Sequence, residues 1–468
     1  MNKKSFFRCF GNATLVFFIG ACAQFGQQPA LEQPADYSIA DGKTQTAVRA
    51  DWWRGLNDPV LNGLVERALQ QSPDLKVAAA RIVQAQAVLG TTEAASKVQL
   101  GVQVSGAGML LADRPDSQNH DAGRMLSGGV VGVQGSWLFD FWGKNRALAA
   151  SALGRKQAAE YEWQQARIML AHSVVAQYAA WQTLAEQQRI VQKRMETAAE
   201  IEKLLNQRIQ AKLLPENAVY PIQQSQLQLQ AQQKQLESRM ANVRHALAVL
   251  SGSIPSALNN VNPAAIDQMP TIRVGRLRAD ILSRRPDIAA QKSVLTARYQ
   301  DVLAARAEFY PNIEIKALAG LSYLDIFDVL QGSSKFVGIL PALNLPLFTS
   351  GALQSKLSGR NAEYNEQVAR YEQTVLTALR DAANATVDYQ AREAEWALQQ
   401  KAWVLSQKKS ASVLRRVGAG LDNKLAYLQK EDETLQQQAR VVQSAGELIT
   451  AWSNVHAQLG GGFYQEGQ

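Results

Sequence analysis

Cysteine is nearly missing from this chain. Of its 468 residues only Cys9 and Cys22 carry a thiol, and both lie within the first 22 positions. That excludes a disulfide framework or a thiolate metal site from everything downstream. Histidine is almost as scarce: His120, His172, His245 and His456 show no ligand spacing, and His172 and His245 read as helix-surface or interhelix positions. Proline is absent from Lys144 to Leu214 and from Leu347 to the end, and glycine is absent from Arg155 to Ser251. No apolar run reaches the roughly 18 residues of a membrane-crossing helix. There is no Gly-x-Ser-x-Gly elbow and no phosphate-binding loop ending in Lys-Ser/Thr, so an enzyme or cofactor reading has no residues to stand on. The net charge of +8 comes from Lys and Arg scattered among acids, with no basic run. That pattern fits solvated helix faces and gives no reason to expect nucleic acid.

What is present begins with a targeting signature. Lys3, Lys4 and Arg8 precede a mostly apolar stretch from Phe10 to Ala21, too short to span a bilayer as a helix. It ends in Ile19-Gly20-Ala21-Cys22, which resembles a bacterial lipoprotein signal in which the Cys22 thiol receives a diacylglyceryl group and residues 1–21 are removed. Ala23 in place of an aspartate favours outer-membrane sorting, by resemblance to enteric lipoproteins. A plain secretory signal with an incidental cysteine remains the other reading.

The rest of the chain is a duplication. Ser72-Pro73-Asp74-Leu75 is echoed by Arg285-Pro286-Asp287-Ile288, at an offset of 213 residues. Alternation from Val98 to Ser105 is echoed after Pro311. Trp137-Leu138-Phe139 with Gly143 matches Leu345-Pro346-Leu347 with Gly351, and Arg208 to Leu213 matches Arg416 to Leu421, now at 208. The predicted organisation is an N-terminal segment (22–71), a first copy (72–251), a linker (252–274) holding Pro255, Pro263 and Pro270, a second copy (275–462) and a tail (463–468). Each copy reads as helix, hairpin, long helix and return helix. The hairpins fall at 98–141 and 311–348, the long helices at 144–212 and 352–418, and the return helices at 216–250 and 422–458. Lys144 to Lys212 would span roughly 100 Å as one helix, at about 1.5 Å per residue, and needs neighbours along its whole length. Val191, Met195, Ala198, Leu205 and Ile209 form a coiled-coil stripe that Glu202 interrupts. Asp422 is placed to cap the last helix.

Four segments, about 98–107, 128–141, 311–322 and 335–348, have the length of tilted membrane strands. In the second, Val131, Val133, Gly135, Trp137 and Phe139 share one face, and Gly132, Gln134 and Ser136 share the other. The glycines at 128, 129, 132 and 135 would relieve crowding in the wall. Aromatics gather at strand ends: Trp137, Phe139, Phe141, Trp142, Tyr310 and Phe348. Four strands cannot close a membrane barrel, for which about eight are needed. In lipid, several chains would therefore share one barrel, and three would give twelve strands with room for an open lumen. A soluble sheet packed on helices stays open as the alternative.

The chain resembles the TolC-like outer-membrane efflux proteins, in the lipoprotein branch that serves multidrug tripartite pumps. The resemblance rests on an ordered set of motifs. These are Asp51-Trp52-Trp53 with Leu56-Asn57-Asp58-Pro59, the twin Pro-Asp helix starts, Phe141-Trp142-Gly143-Lys144-Asn145-Arg146, Ala307-Glu308-Phe309-Tyr310-Pro311, Leu345-Pro346-Leu347-Phe348 with Gly351, and Leu459-Gly460-Gly461-Gly462. It implies a mainly helical fold with membrane β structure. In that fold three chains form a hollow α-barrel and share a 12-stranded outer-membrane β-barrel. It also implies a homotrimer that works with a periplasmic adaptor (membrane fusion) protein, an inner-membrane transporter and outer-membrane lipid. The adaptor would meet tips at Leu213, Leu214, Pro215, Gly418, Gly420 and Leu421. Leu425 matches an apolar constriction ring. Gln429 stands where relatives often place an aspartate, so Asp422 and Glu431 are the carboxylates that could replace it. A duct for a secreted protein and a non-conducting coiled-coil lipoprotein remain as other readings.

Overall fold

The computed structural model describes residues 27–35, 49–110, 125–266, 269–272, 284–323 and 335–463. Cys22 and the signal segment lie outside the described residues. The chain begins with α1 (Pro59–Gln71) and α2 (Pro73–Ala94), followed by β1 (Gln99–Leu110) and β2 (Met125–Phe139). Then come α3 (Lys144–Gln210), α4 (Tyr220–Leu250) and α5 (Pro286–Ala307). The order ends with β3 (Asn312–Tyr323), β4 (Lys335–Asn344), α6 (Ala352–Gly418) and α7 (Lys424–Gln458). The two long helices have 67 residues each, as the absence of interior proline allows.

The chain divides into two compact units. One comprises Met1–Ala35, Arg81–Ala159 and Ala290–Glu372; the other comprises Asp36–Ala80, Glu160–Ala289 and Gln373–Gln468. The first unit holds one antiparallel sheet in the order β1-β2-β3-β4, so β1 and β4 are its edges. β4 stops at Asn344, short of the expected 348, because Pro346 cannot donate to a ladder. Pro341 lies opposite Ile315 in β4, where it contributes no amide hydrogen to a ladder.

The second unit holds the main apolar core. Trp52, Leu61, Val65, Val174, Tyr178, Trp181, Leu247 and Leu448 are all buried there. Asp58, itself buried, ties α1 to α3. One carboxylate oxygen caps α1 by accepting from the Val60 and Leu61 amides (2.9 and 3.1 Å). The other accepts from the Tyr178 hydroxyl (2.7 Å) and the Gln182 amide (3.1 Å). Burial, then the Asp58 bond, push the Tyr178 phenol far above its ordinary value. Val191, Ala198, Leu229 and Leu236 form a separate cluster between α3 and α4, and Met195 packs on it. Where Glu202 interrupts that stripe, its two oxygens accept from Gln223 (2.8 Å) and Gln226 (2.9 Å), and those bonds hold its carboxyl below the ordinary range.

The duplication is written into the backbone. α3 ends with the Leu213 amide bonded to the Arg208 carbonyl (2.8 Å) and the Lys212 amide to Ile209 (2.9 Å). α6 ends with Leu421 bonded to Arg416 (2.9 Å) and Gly420 to Val417 (3.1 Å), the same C-terminal motif 208 residues later. The left-handed position is Gly420 (φ +70°) in the second copy and Lys212 (φ +56°) in the first. Gly252 and Gly460 end α4 and α7 in the same way. A methyl group on Gly252 would strike the Gln71 carbonyl (2.7 Å), and one on Gly460 would overlap the carbonyl of Arg284, the counterpart of Gln71.

Candidate conduit wall and helical tips

Register sorts the sheet into two chemically distinct faces. Val102, Val133, Ala319 and Val337 lie in one row across all four strands, and Leu100, Gly135, Ala317 and Ile339 lie in the next. Trp137, Ile315 and Pro341, then Phe139, Ile313 and Leu343, extend the same face. No polar side chain interrupts these rows, and their members are largely uncovered: Val102 is 75% exposed and Val337 85%. The opposite face mixes polar, small and apolar groups: Gln99, Ser136, Lys316 and Leu340 lie in one row, and Gly101, Gln134, Leu318 and Gly338 in the next. A contiguous apolar surface of this kind does not stay in water. Gly132 and Gly320 face each other across β2 and β3, where a methyl on Gly132 would fall 2.7 Å from the Ala319 carbonyl. The Phe336 ring lies over Gly320, which explains why that pair can be glycine without leaving a gap.

The strands end in a packed aromatic junction. Trp142 stacks on Tyr310 (4.6 Å, 18°) and donates from its indole nitrogen to the Pro311 carbonyl (2.9 Å). Phe139 and Phe141 continue the row. Beside it Glu308 bridges Lys144 (2.9 Å) and Lys356 (2.5 Å). Burial alone would raise the Glu308 carboxyl, but the bonds from Lys356 and Lys144 outweigh it and hold it below the ordinary range. Residues 29–35 run along α6, held by side chains that grip their backbone. Asn365 accepts from the Glu32 amide (3.0 Å) and donates to the Ala30 carbonyl (2.8 Å). Glu372 accepts from the Ala35 amide (2.9 Å).

At the helical tips the sequence-derived residues divide. Leu213 and Leu421 are equivalent, and each is 72% exposed at the turn apex. Leu214 is half-buried and Pro215, Gly418 and Gly420 are exposed. Leu425 is half-buried in the first turn of α7, and Gln429 is exposed one turn on. Asp422 does not cap α7. Asn423 does, accepting from the Ala426 amide (3.0 Å), because α7 begins only at Lys424. Asp422 instead faces the Arg416 guanidinium (3.6 Å). Glu431 turns into its own hairpin, where it accepts from the Ser410 hydroxyl (3.0 Å); burial, then the Glu431 charge, raises the Tyr427 phenol.

Two ion pairs that join α3 to α7 escaped the sequence reading. Arg194 forks onto Asp432 (2.8 and 3.3 Å), and both side chains are mostly buried. Lys424 meets Glu200 (3.1 Å) in the open, where that bond and the Lys424 charge lower the Glu200 carboxyl. The partners lie more than 220 residues apart, so no local pattern links them. Only the duplication hints that α3 and α7 are neighbours. Among the described residues no helix is long and apolar enough to cross a membrane, and no acidic, histidine or cysteine cluster could hold a metal ion.

A sheet with one apolar face and two open edges, joined to long antiparallel helices that end in exposed leucines, defines a subunit of an outer-membrane channel. The family model for outer membrane efflux proteins matches residues 64–253 and 277–461, one match for each copy. This chain belongs to the outer membrane efflux protein family. It is 29% identical over 394 residues to the multidrug resistance outer membrane protein MdtP of Escherichia coli K12, covering 80% of this chain and 79% of that one. The crystal structure of the outer membrane protein VceC from Vibrio cholerae matches with a TM-score of 0.76 at 28% identity, covering 88% of this chain and 99% of VceC. The Campylobacter jejuni CmeC outer membrane channel, at 22% identity, shares the fold with a TM-score of 0.83 over 94% of this chain and 96% of its own.

Proposed function

We propose that three copies of this chain form one passive duct through which an inner-membrane transporter, coupled by a periplasmic adaptor, expels small toxic compounds. The observation that carries this is the four-stranded sheet, whose apolar face is continuous while β1 and β4 stay unpaired. Unpaired strand edges in lipid cost several kcal/mol per lost bond (roughly, in hydrocarbon), so the edges must meet other chains. Pairing β4 of one copy with β1 of the next is a head-to-tail contact that closes into a ring. The multidrug substrate class is taken from the name of the MdtP relative. The adaptor contact is assigned to Leu213 and Leu421 with the turns around them, and the constriction to Leu425. Gln429 supplies no charge there, so an acidic ring at that level is not part of the proposal.

The same reading places a lipid on Cys22. Cys22 stands six residues before Gln28, whose amide reaches the Gln354 carbonyl (3.5 Å) in the first turn of α6. Purified protein in planar bilayers should conduct ions and migrate as a heat-sensitive trimer. A non-conducting monomer would refute the duct. Labelled palmitate should enter the wild type but not Cys22→Ser.

A further inference from the structure

We propose that α4 of one copy packs against α6 of the next, with Glu216 of one chain paired to Lys408 of its neighbour. The inference deepens the trimer reading and rests on it. Its basis is the offset of 208 residues between the two copies, applied to the contact that is visible within one chain.

Within the chain, α3 of the first copy meets α7 of the second through Lys424–Glu200 and Arg194–Asp432. Shifting each residue by 208 exchanges the copies, so α3 becomes α6 and α7 becomes α4. Glu200 maps to Lys408 and Lys424 maps to Glu216. The charges are swapped, so the pair keeps its attraction with reversed polarity. Neither Glu216 nor Lys408 has an ion-pair partner among the described residues of its own chain, and both are exposed. Arg194 and Asp432 map to Ala402 and Gln224, which are uncharged and leave no unpaired charge in the mapped surface.

Burial points the same way. Ile190 on α3 is 2% exposed, whereas its counterpart Leu398 on α6 is 65% exposed. Leu435 on α7 is 6% exposed, whereas its counterpart Leu227 on α4 is 66% exposed. The positions covered in one setting carry uncovered leucines in the other. A ring built by rotation supplies the missing neighbour, and that neighbour must be a second copy, because only this chain carries the surface the repeat already fits. Opposite charges at equivalent positions fix the register of the contact.

The mature chain has no cysteine beyond Cys22, so a disulfide test is clean. Two chains with different tags, one carrying Leu227→Cys and the other Leu398→Cys, are co-expressed in an oxidising periplasm. A disulfide-linked heterodimer on a non-reducing gel is expected. Its absence, with trimers intact, overturns the proposal. In parallel, Glu216→Lys and Lys408→Glu each set like charges across the seam. Each should lower the trimer fraction that survives mild heating by roughly two- to fivefold, the range for an exposed pair. The double variant should recover it, and high salt should erase the differences. Trimers that show neither cross-link nor rescue would overturn this seam and leave the duct standing. A wild-type protein that never forms trimers would instead refute the duct.

Discussion

The Arg194–Asp432 bridge offers the sharpest test of how the tips are held. Its side chains are 17% and 26% exposed, and two bonds of 2.8 and 3.3 Å join them in a forked geometry. Charge-assisted bonds of this kind contribute roughly 1.5–3 kcal/mol, less than a fully buried pair loses on breakage because water still reaches both groups. If the tips of three chains part together, the bridge is lost three times, and the equilibrium moves by about three times that amount. Arg194→Gln and Asp432→Asn should each raise channel conductance in planar bilayers. The double variant should exceed neither by much, because either change already breaks the bridge. The effect should persist in strong salt, since a half-buried pair is poorly screened. Breaking the exposed Lys424–Glu200 pair should matter less, and only at low salt. Strictly additive conductance changes, or none, would show that the bridge plays no part in holding the tip.

Other outcomes follow from single positions. Lys212 holds a left-handed conformation that glycine fills at the equivalent Gly420, so Lys212→Gly should raise the melting temperature by the equivalent of up to ~1 kcal/mol. Gly420→Ala should lower it by a similar amount. Gly132→Ala drives a methyl against the Ala319 carbonyl at 2.7 Å, which should cost about 1–3 kcal/mol and sharply reduce heat-resistant trimers in gels. His456, stacked on Trp52 at 5.2 Å, is pushed down to about 4 by burial. Its folded-state value lies below its unfolded one, so the unfolded chain takes up the proton first. Stability should hold above pH 6.5 and fall by about 3 kcal/mol as pH drops toward 4, a slope that His456→Gln removes in thermal melts.

The sequence showed most clearly what depends on spacing alone. Missing proline and glycine announced the long helices, and alternation announced the strands, because both signals come from neighbours within a few residues. The repeat was legible because left-handed turns demand glycine: Gly143 recurs as Gly351, and Gly252 as Gly460, at the same offset. Lys212 broke that rule and was found only by homology with Gly420. The cap was misassigned to Asp422 because Asp and Asn cap equally well, and one residue of difference in helix start decides between them. The Arg194–Asp432 bridge was invisible because each partner sits in an ordinary mixed-charge helix face, and only tertiary pairing distinguishes it. Glu431 looked free in sequence for the same reason, although the fold turns it onto Ser410.

The duplication also explains why the ring can close. A hairpin contributes two antiparallel strands, and two hairpins in the order β1-β2-β3-β4 leave edge strands that run in opposite directions. Rotating such a chain about a central axis brings β4 beside the next β1 with antiparallel pairing preserved, so every junction resembles those already formed. An odd strand number would force one parallel junction per chain, with a different bond pattern and spacing. The helices obey the same arithmetic. Each copy supplies one long helix and one return helix, and the contact between α3 and α7 is the template for a contact between α6 and α4 of the next chain. Duplicating the hairpin unit therefore makes the proposed contacts between chains equivalent in geometry to contacts within one, although the charges that line them differ. A defect at Gly420 and a defect at Lys212 should then disturb equivalent turns, and they should differ in stability only by the strain that a side chain adds at a left-handed position.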